Sequence, residues 1–477
     1  MAGDLRGKHR AFSSSEIVVA YKHTMRVRRA LEQRRVGYGK VTCDLDLGLC
    51  LVPLDDDIDA AEKFQKWDPK FDAAALESAK AADGDTDRSA DQLDSFLRGL
   101  RGFFAEKYAG WKPLVGKNRL VGYVTGAPGK VTHGGGTPLA QGDAHVMRRT
   151  GNKGAGVVVG VLDTSVASHD WLAGGWSSPV DEVFEPIDDE DEAAELFQDG
   201  KLPNAVAGHA TFVAGLILQE APGCLVRVHR VLSTDGEANS WQVAREIVRL
   251  AKSRPDVINL SLVCYTEDGE PPLALATAID RIHPDTVVIA AAGNHGDVGL
   301  EQLEITSQDL AELREELAHS REGIVDRTDE ELKQILLDRE RMKPTWPAAM
   351  ERVIAIGSGR AAGEPSVFTP KKVGWIDALA DGESRPSTFP EGSYSVVKLV
   401  EGKPEEHHKE IVPFTSGFAY WGGTSFAAAR VSGAIAARTK PGSKSSRQVL
   451  LDFVPPVPGD APSTTADNGD QPPFIRL

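Results

Sequence analysis

The chain has 477 residues, 41% of them hydrophobic and 26% charged, the balance of an ordinary globular protein of about three domains. Its 54 Lys and Arg against 70 Asp and Glu leave a formal charge of −16, which argues against nucleic acid as a partner, because phosphate recognition needs clustered cations. No apolar run approaches the ~20 residues that cross a bilayer, and no signal-peptide-like stretch opens the chain, so no membrane partner and a cytoplasmic location are expected. Cys43, Cys50, Cys224 and Cys264 are too few and too scattered to predict a disulfide framework or a zinc knuckle.

Residues 1–40 are rich in Arg and Lys. Within them Glu16–Tyr21 (EIVVAY) reads as a β-branched strand and His23–Arg34 as a helix. Gly37–Leu45 and Gly48–Leu54 follow as short strands, and the charged, Ala-rich residues 55–90 as an inserted helical stretch. Gln92–Ala109 sets Leu93, Phe96, Leu97, Leu100, Phe103 and Phe104 at helical spacing, and Arg119–Val124 closes with a strand. The order β-α-β-β-α-β predicts a small ferredoxin-like α+β domain over residues 1–130, with a Gly-rich linker at 126–136.

From 138 to 453 buried strands alternate with Ala-rich helices: Val157–Leu162, Val226–Leu232, Val257–Leu262, Thr286–Ala292 and Val353–Ser358. Two of them, Val257–Leu262 and Thr286–Ala292, lack polar alternation, as strands covered on both faces do, so a mostly parallel central sheet in an α/β domain is predicted. Residues 297–343 read as two surface helices inserted into it, and the Pro-rich residues 454–477 as a disordered tail.

Four segments at strand ends or helix starts carry the chemistry, and in an α/β sheet such positions converge on one crevice. VVVGVLDTS (157–165) delivers Asp163, which alone reads as a turn residue. GHATFVAG (208–215) opens a helix with His209, alone a structural histidine. AAAGNHG (290–296) sets Asn294 behind a buried strand and Gly293. GGTSFAAARVSG (422–433) begins a helix of small residues at Ser425, behind two glycines that let another backbone approach. A surface N-cap serine has no need of a helix without bulk on any face, whereas a rigidly held nucleophile benefits from one.

Taken in order, Asp163, His209, Asn294 and Ser425 resemble the subtilisin-like serine peptidases, the subtilase family, over roughly residues 140–453. VINLSL (257–262) and WPAAMERVIAIG (346–357) share the likeness. The resemblance implies a subtilisin-like three-layer domain and an endopeptidase acting on protein or peptide substrates. Ser425 would be the nucleophile, His209 its base, Asp163 the orienting carboxylate and Asn294 the oxyanion donor. Asn259, Leu260, Ser261, Leu262, Gly293 and Gly423 would line the substrate channel. The N-terminal domain would be an inhibitory propeptide whose Arg119–His133 segment nears the site, its basic start facing an acidic surface such as Asp188–Glu195, or else a permanent accessory domain with no inhibitory role.

No cofactor is implied; structural calcium, common in the family, finds no matching loop here. The insert at 297–343 leaves the chain just after Asn294 and is read either as a solvated decoration or as a docking element for a regulatory partner or a regulated substrate. The sequence departs from the family pattern at Ser165, Ala210, the Val263–Cys264 pair and Ala429 or Arg430. None of these removes a catalytic group, but Val263 and Cys264 replace glycines on the edge that receives a peptide as an added strand. A catalytically silent peptide-binding module and an esterase-type acyl transfer remain the alternatives.

Overall fold

The computed structural model describes residues 15–81, 86–124, 137–140, 146, 149–179, 183–184, 190–266, 268–300, 303, 305–319, 327–360, 363–400, 403–454 and 472–477. The linker expected at 126–136 lies outside them, as does 455–471 of the expected tail.

Residues 15–117 form a four-stranded antiparallel sheet in the order Thr42–Asp44, Leu49–Pro53, Glu16–Ala20, Val115–Lys117. This is the ferredoxin-like order, with one change from the expectation. The closing strand is Val115–Lys117, and Leu120–Tyr123 leaves this sheet altogether. The first strand is apolar on both faces because both are covered. Ile17 and Val19 join the domain's own core with Phe64, Phe96 and Leu100, while Val18 and Ala20 join Leu47, Leu49 and Trp241 in a cluster shared with the second domain. The helices Asp57–Phe64 and Thr86–Lys107 approach so closely that a Cβ at Gly99 would lie 2.6 Å from the Phe64 carbonyl oxygen.

Ion pairs between the two domains run in both senses, Arg119 to Asp268 as well as those of Asp44 and Asp46, and residues 1–14 and 188–189 of the expected contact lie outside the described residues. Arg26, Arg28 and Arg34 stay within their own domain, against Trp111, Tyr38 and Trp67. The turn Asp44–Asp46 instead supplies carboxylates to Arg245 and Lys252 on the helix Ser240–Ala251 and just beyond its end. That turn joins two strands cross-linked by a Cys43–Cys50 disulfide, a pairing not expected from the sequence; the two residues face each other in the hairpin register. Cys224 and Cys264 are buried and free.

The second domain is built on a seven-stranded parallel sheet in the order Ala378–Asp381, Ile354–Gly359, Val287–Ala291, Val257–Leu260, Val158–Asp163, Leu225–Arg230, Trp176–Ser177. Chain order reverses on either side of Val158–Asp163, so its carboxyl end opens at the crevice where such sheets place their ligands. Helices His209–Glu220 and Thr424–Arg438 pack together beside this sheet. Gly433 makes that approach feasible, since a Cβ there would fall 2.7 Å from the Ile217 carbonyl oxygen.

Two additions flank this core. The insert forms the helices Ser307–His319 and Asp329–Met342, which share a small cluster of Leu310, Leu313 and Leu332. A long hairpin, Gly392–Val400 with Lys403–Phe414, has no counterpart in the sequence-based expectation; it touches the segment before His209 through Ser395 and Pro203. Residues 472–477 are not a loose tail. Leu379 donates to the Pro473 carbonyl at 2.9 Å and accepts from the Ile475 amide at 2.7 Å, so this segment runs along the edge strand Ala378–Asp381.

Candidate functional site

Asp163 ends its strand fully buried, and both its carboxylate oxygens lie 2.8 Å from Nδ1 of His209. A carboxylate only accepts, so Nδ1 is the donor in this pair. The Thr164 amide donates to Asp163 Oδ1 at 2.7 Å, and Thr164 Oγ1 accepts from the Ala210 amide, tying this turn to the start of the His209 helix. Aromatic rings close around the imidazole, with Trp421 and Phe426 both at 5.4 Å between centroids.

Ser425 sits in the first turn of its helix, 2% exposed, and its Oγ makes no hydrogen bond among the described residues. Its backbone carbonyl is held by Ser261 Oγ at 3.1 Å. Asn294 is fixed by Thr424, whose amide and hydroxyl donate to its Oδ1 at 2.9 and 3.1 Å. That fixes the direction of the Asn294 amide group, whose Nδ2 donates to the Val124 carbonyl oxygen at 3.1 Å. Asp163 and His209 are thus paired, Asn294 is tied to the start of the Ser425 helix through Thr424, and the Phe426 ring beside Ser425 lies against His209; sequence reasoning passed over Thr424 although it sits inside the quoted motif.

The expected channel residues divide. Leu262 lies in the short strand Leu262–Val263, which pairs antiparallel with Tyr123 and Gly122. Asn259 and Leu260 belong instead to the main sheet, fully buried, and Asn259 binds Ser261 Oγ and Ser432 Oγ beneath the Ser425 helix. The strand is interrupted after Leu260, and the following pair, Leu262–Val263, belongs to the other sheet. Gly293 and Gly423 both lie beside Asn294 and Thr424: Gly293 has φ +94° and donates to Thr424 Oγ1, and a Cβ at Gly423 would crowd Asn294 Nδ2 at 3.2 Å.

Leu120–Tyr123, the strand that leaves the small sheet, lies beside Leu262–Val263. It forms the middle strand of a three-stranded antiparallel sheet, with Glu237–Asn239 on one side and Leu262–Val263 on the other. Asn118 supports the entry, its Oδ1 accepting from Ser240 Oγ and the Trp241 amide at the start of a helix, and Arg119 pairs with Asp268.

Next to Asn294, His295 is buried between Tyr265 and the base of the insert. Its Nε2 faces the Lys343 carbonyl at 3.0 Å and must donate, so its Nδ1 accepts from the Tyr265 hydroxyl at 3.2 Å. Burial pulls its pKa down to about 4, so the ring is neutral. Among the described residues no group of three His, Cys, Asp or Glu side chains could hold a metal ion, and no helix is long and apolar enough to cross a membrane.

Comparison with known proteins points one way. Subtilisin DY of Bacillus licheniformis is 32% identical over 179 residues, 34% of this chain and 56% of that protein. Mycosin-3 of Mycobacterium tuberculosis is 26% identical over 256 residues, 48% and 50% of the two. The chain spans about half the length of these curated relatives. Among solved structures, a lanthipeptide protease is similar at a TM-score of 0.40 and 18% identity, covering 67% of this chain and 90% of that one. A cold adapted subtilisin-like serine proteinase is similar at a TM-score of 0.38 and 17% identity, covering 66% and 88%. The model of the subtilase family matches residues 154–448, which is more than half of the chain and contains Asp163, His209, Asn294 and Ser425: the chain belongs to the subtilase family.

Proposed function

We propose that the chain is a serine endopeptidase that hydrolyses peptide bonds in protein substrates and is held silent by its own N-terminal domain. The observation that carries the reading is the Val124 carbonyl, 3.1 Å from Asn294 Nδ2 at the end of a strand paired on both edges. A substrate in that path presents the same carbonyl to Ser425. Ser425 Oγ attacks it while His209 Nε2 takes the hydroxyl proton, and Asp163 steadies the resulting imidazolium through both oxygens. The negative charge that develops on the carbonyl oxygen meets the Asn294 amide and the N-terminal turn of the Ser425 helix. The proton on His209 then passes to the leaving amine, and water repeats the cycle on the acyl-enzyme.

The N-terminal domain supports the autoinhibited part of the reading in two ways. It buries Val18, Leu47 and Leu49 in a shared core, about 1.5–3 kcal/mol for each fully buried side chain, and it lays Leu120–Tyr123 in the channel. The insert, anchored to His295 beside Asn294, is the element we assign to a regulatory partner. As to location, the Cys43–Cys50 cross-link favours an oxidising compartment over the expected cytoplasm, where the thiol pool keeps such pairs reduced.

A second reading, a peptide-binding module without turnover, is favoured by the unpartnered Ser425 Oγ. Fluorophosphonate labelling read by mass spectrometry separates the two. Labelling of Ser425 that is lost in Ser425→Ala, and accelerated by Asp44→Lys with Asp46→Lys, is the expected result. Absence of labelling in all folded forms would leave the binding module as the better reading.

A further inference from the structure

The strand in the channel also records what the channel accepts. With the Val124 carbonyl at Asn294, the side chain one residue upstream is that of Tyr123, and its backbone amide donates to the Gly236 carbonyl at 2.8 Å. Gly236 has φ +80°, a torsion that disfavours any residue with a Cβ. A Cβ built at Gly236 would fall 2.3 Å from Tyr123 Cδ1 and 2.8 Å from Val206 Cγ1, so the phenol ring occupies the space that a side chain at 236 would take. The His209 imidazole stands on another side, with ring centroids 6.3 Å apart and planes at 62°, and the phenol stays half-buried. The result is an aromatic-sized slot between Gly236, Val206 and His209.

We propose that this slot selects substrates carrying an aromatic residue immediately before the residue whose carbonyl is attacked, and that Gly236 is the residue that sets the preference. The proposal rests on the peptidase reading above. The next position upstream provides an internal contrast: a Cβ at Gly122 would meet only the Gly236 carbonyl oxygen, at 3.8 Å, so that position tolerates side chains. Selection is therefore sharp at one position and loose at its neighbour. Asp235 and Glu237 lie close enough to act on the Tyr123 phenol, whose pKa burial and these carboxylates push up to about 12. The same carboxylates repel an acidic or phosphorylated side chain in the slot.

The test uses the full chain carrying Asp44→Lys and Asp46→Lys, which loosen the N-terminal domain, and internally quenched peptides of the series Leu-Val-Gly-X-Val-Thr, alongside fluorophosphonate labelling of Ser425. With X as Tyr or Phe, kcat/KM is expected to exceed that with Ala by roughly tenfold or more, as a filled apolar pocket allows. Peptides with Asp or phosphotyrosine at X should be cleaved more slowly than the Ala peptide. Replacing the Gly before X by Ala should change nothing. Gly236→Ala should bring the Tyr-to-Ala ratio down to about one, with a greater loss on the Tyr peptide than on the Ala peptide. Because the torsion at 236 could make that variant fail to fold, Val206→Phe narrows the slot from the opposite wall and should have the same effect. Equal cleavage of the Tyr and Ala peptides overturns the proposal, as does labelling of Ser425 with cleavage of neither. Absence of both labelling and cleavage overturns the peptidase reading itself, and this inference falls with it.

Discussion

The helices Thr424–Arg438 and Asp329–Met342 are 15 and 14 residues long and opposite in nearly every other respect. The first has almost no bulky side chains and is buried on nearly all faces, packed against the sheet and against His209–Glu220. The second is dense in Glu, Asp, Lys and Arg, starts with a complete capping box at Thr328, and buries only Leu332 and Leu337. One is held chiefly by packing on nearly every face; the other carries its own local capping and charge signals. Ser425 needs the first kind of support, because a nucleophile must be fixed to within a fraction of an ångström. A surface meant for a partner can rely on the second kind.

The contrast predicts a graded series of effects. The largest belongs to Ser425→Ala, with a loss in kcat on the order of 10⁶ and no change in folding. Asn294→Ala should cost ~10²–10³ in kcat with KM little altered, and a larger effect on KM than on kcat would break its assignment as the oxyanion donor. Gly433→Val forces side-chain atoms into the Ile217 carbonyl and should lower stability by about 1–3 kcal/mol, read as a fall in Tm of several degrees.

Acid should act at the junction between the two regions. His295 is held neutral, with its pKa near 4 in the folded chain against 6.5 as the reference, so the unfolded chain binds the extra proton between those values. Stability contributed by this site is therefore complete above about pH 6.5 and is lost as pH falls toward 4, at no more than ~1.4 kcal/mol per pH unit. Urea midpoints measured across that window should flatten in His295→Gln relative to the parent.

The smallest effect is expected on the insert. Arg339 and Glu316 form a two-pronged pair at 2.8 and 2.9 Å, but both are exposed, and Arg339→Ala should change stability by less than ~1 kcal/mol with kcat/KM on small peptides untouched. A large fall in peptide turnover would mean that the two helices are coupled more tightly than their contacts imply.

The catalytic-domain framework is legible because its signals are local. Asp163, His209, Asn294 and Ser425 each sit in a short motif at a strand end or helix start, and the subtilisin-like α/β sheet follows from unbroken apolar strands. What cannot be read depends on distant partners. Val115–Lys117 and Leu120–Tyr123 are equally short β runs, and only the neighbours decide that the first closes the small sheet while the second joins Glu237–Asn239 and Leu262–Val263. Cys43 and Cys50 look scattered along the chain but stand opposite each other once the hairpin turns. The Arg-rich start suggests a cationic docking face, whereas Arg26 and Arg34 find aromatic rings nearby, and Asp44, Asp46 and Arg119 make the ion pairs between the domains.

The segment 472–477 along Ala378–Asp381 has a consequence for assembly. A parallel sheet ends in strands whose outer amides and carbonyls can recruit any extended chain, including another copy of the same protein. Here Leu379 spends its outward amide and carbonyl on Pro473 and Ile475, and Ile475 is itself buried. This rim of the molecule is sealed by its own sequence, so removing residues 472–477, far from the crevice, should show itself first as self-association rather than as a change in chemistry.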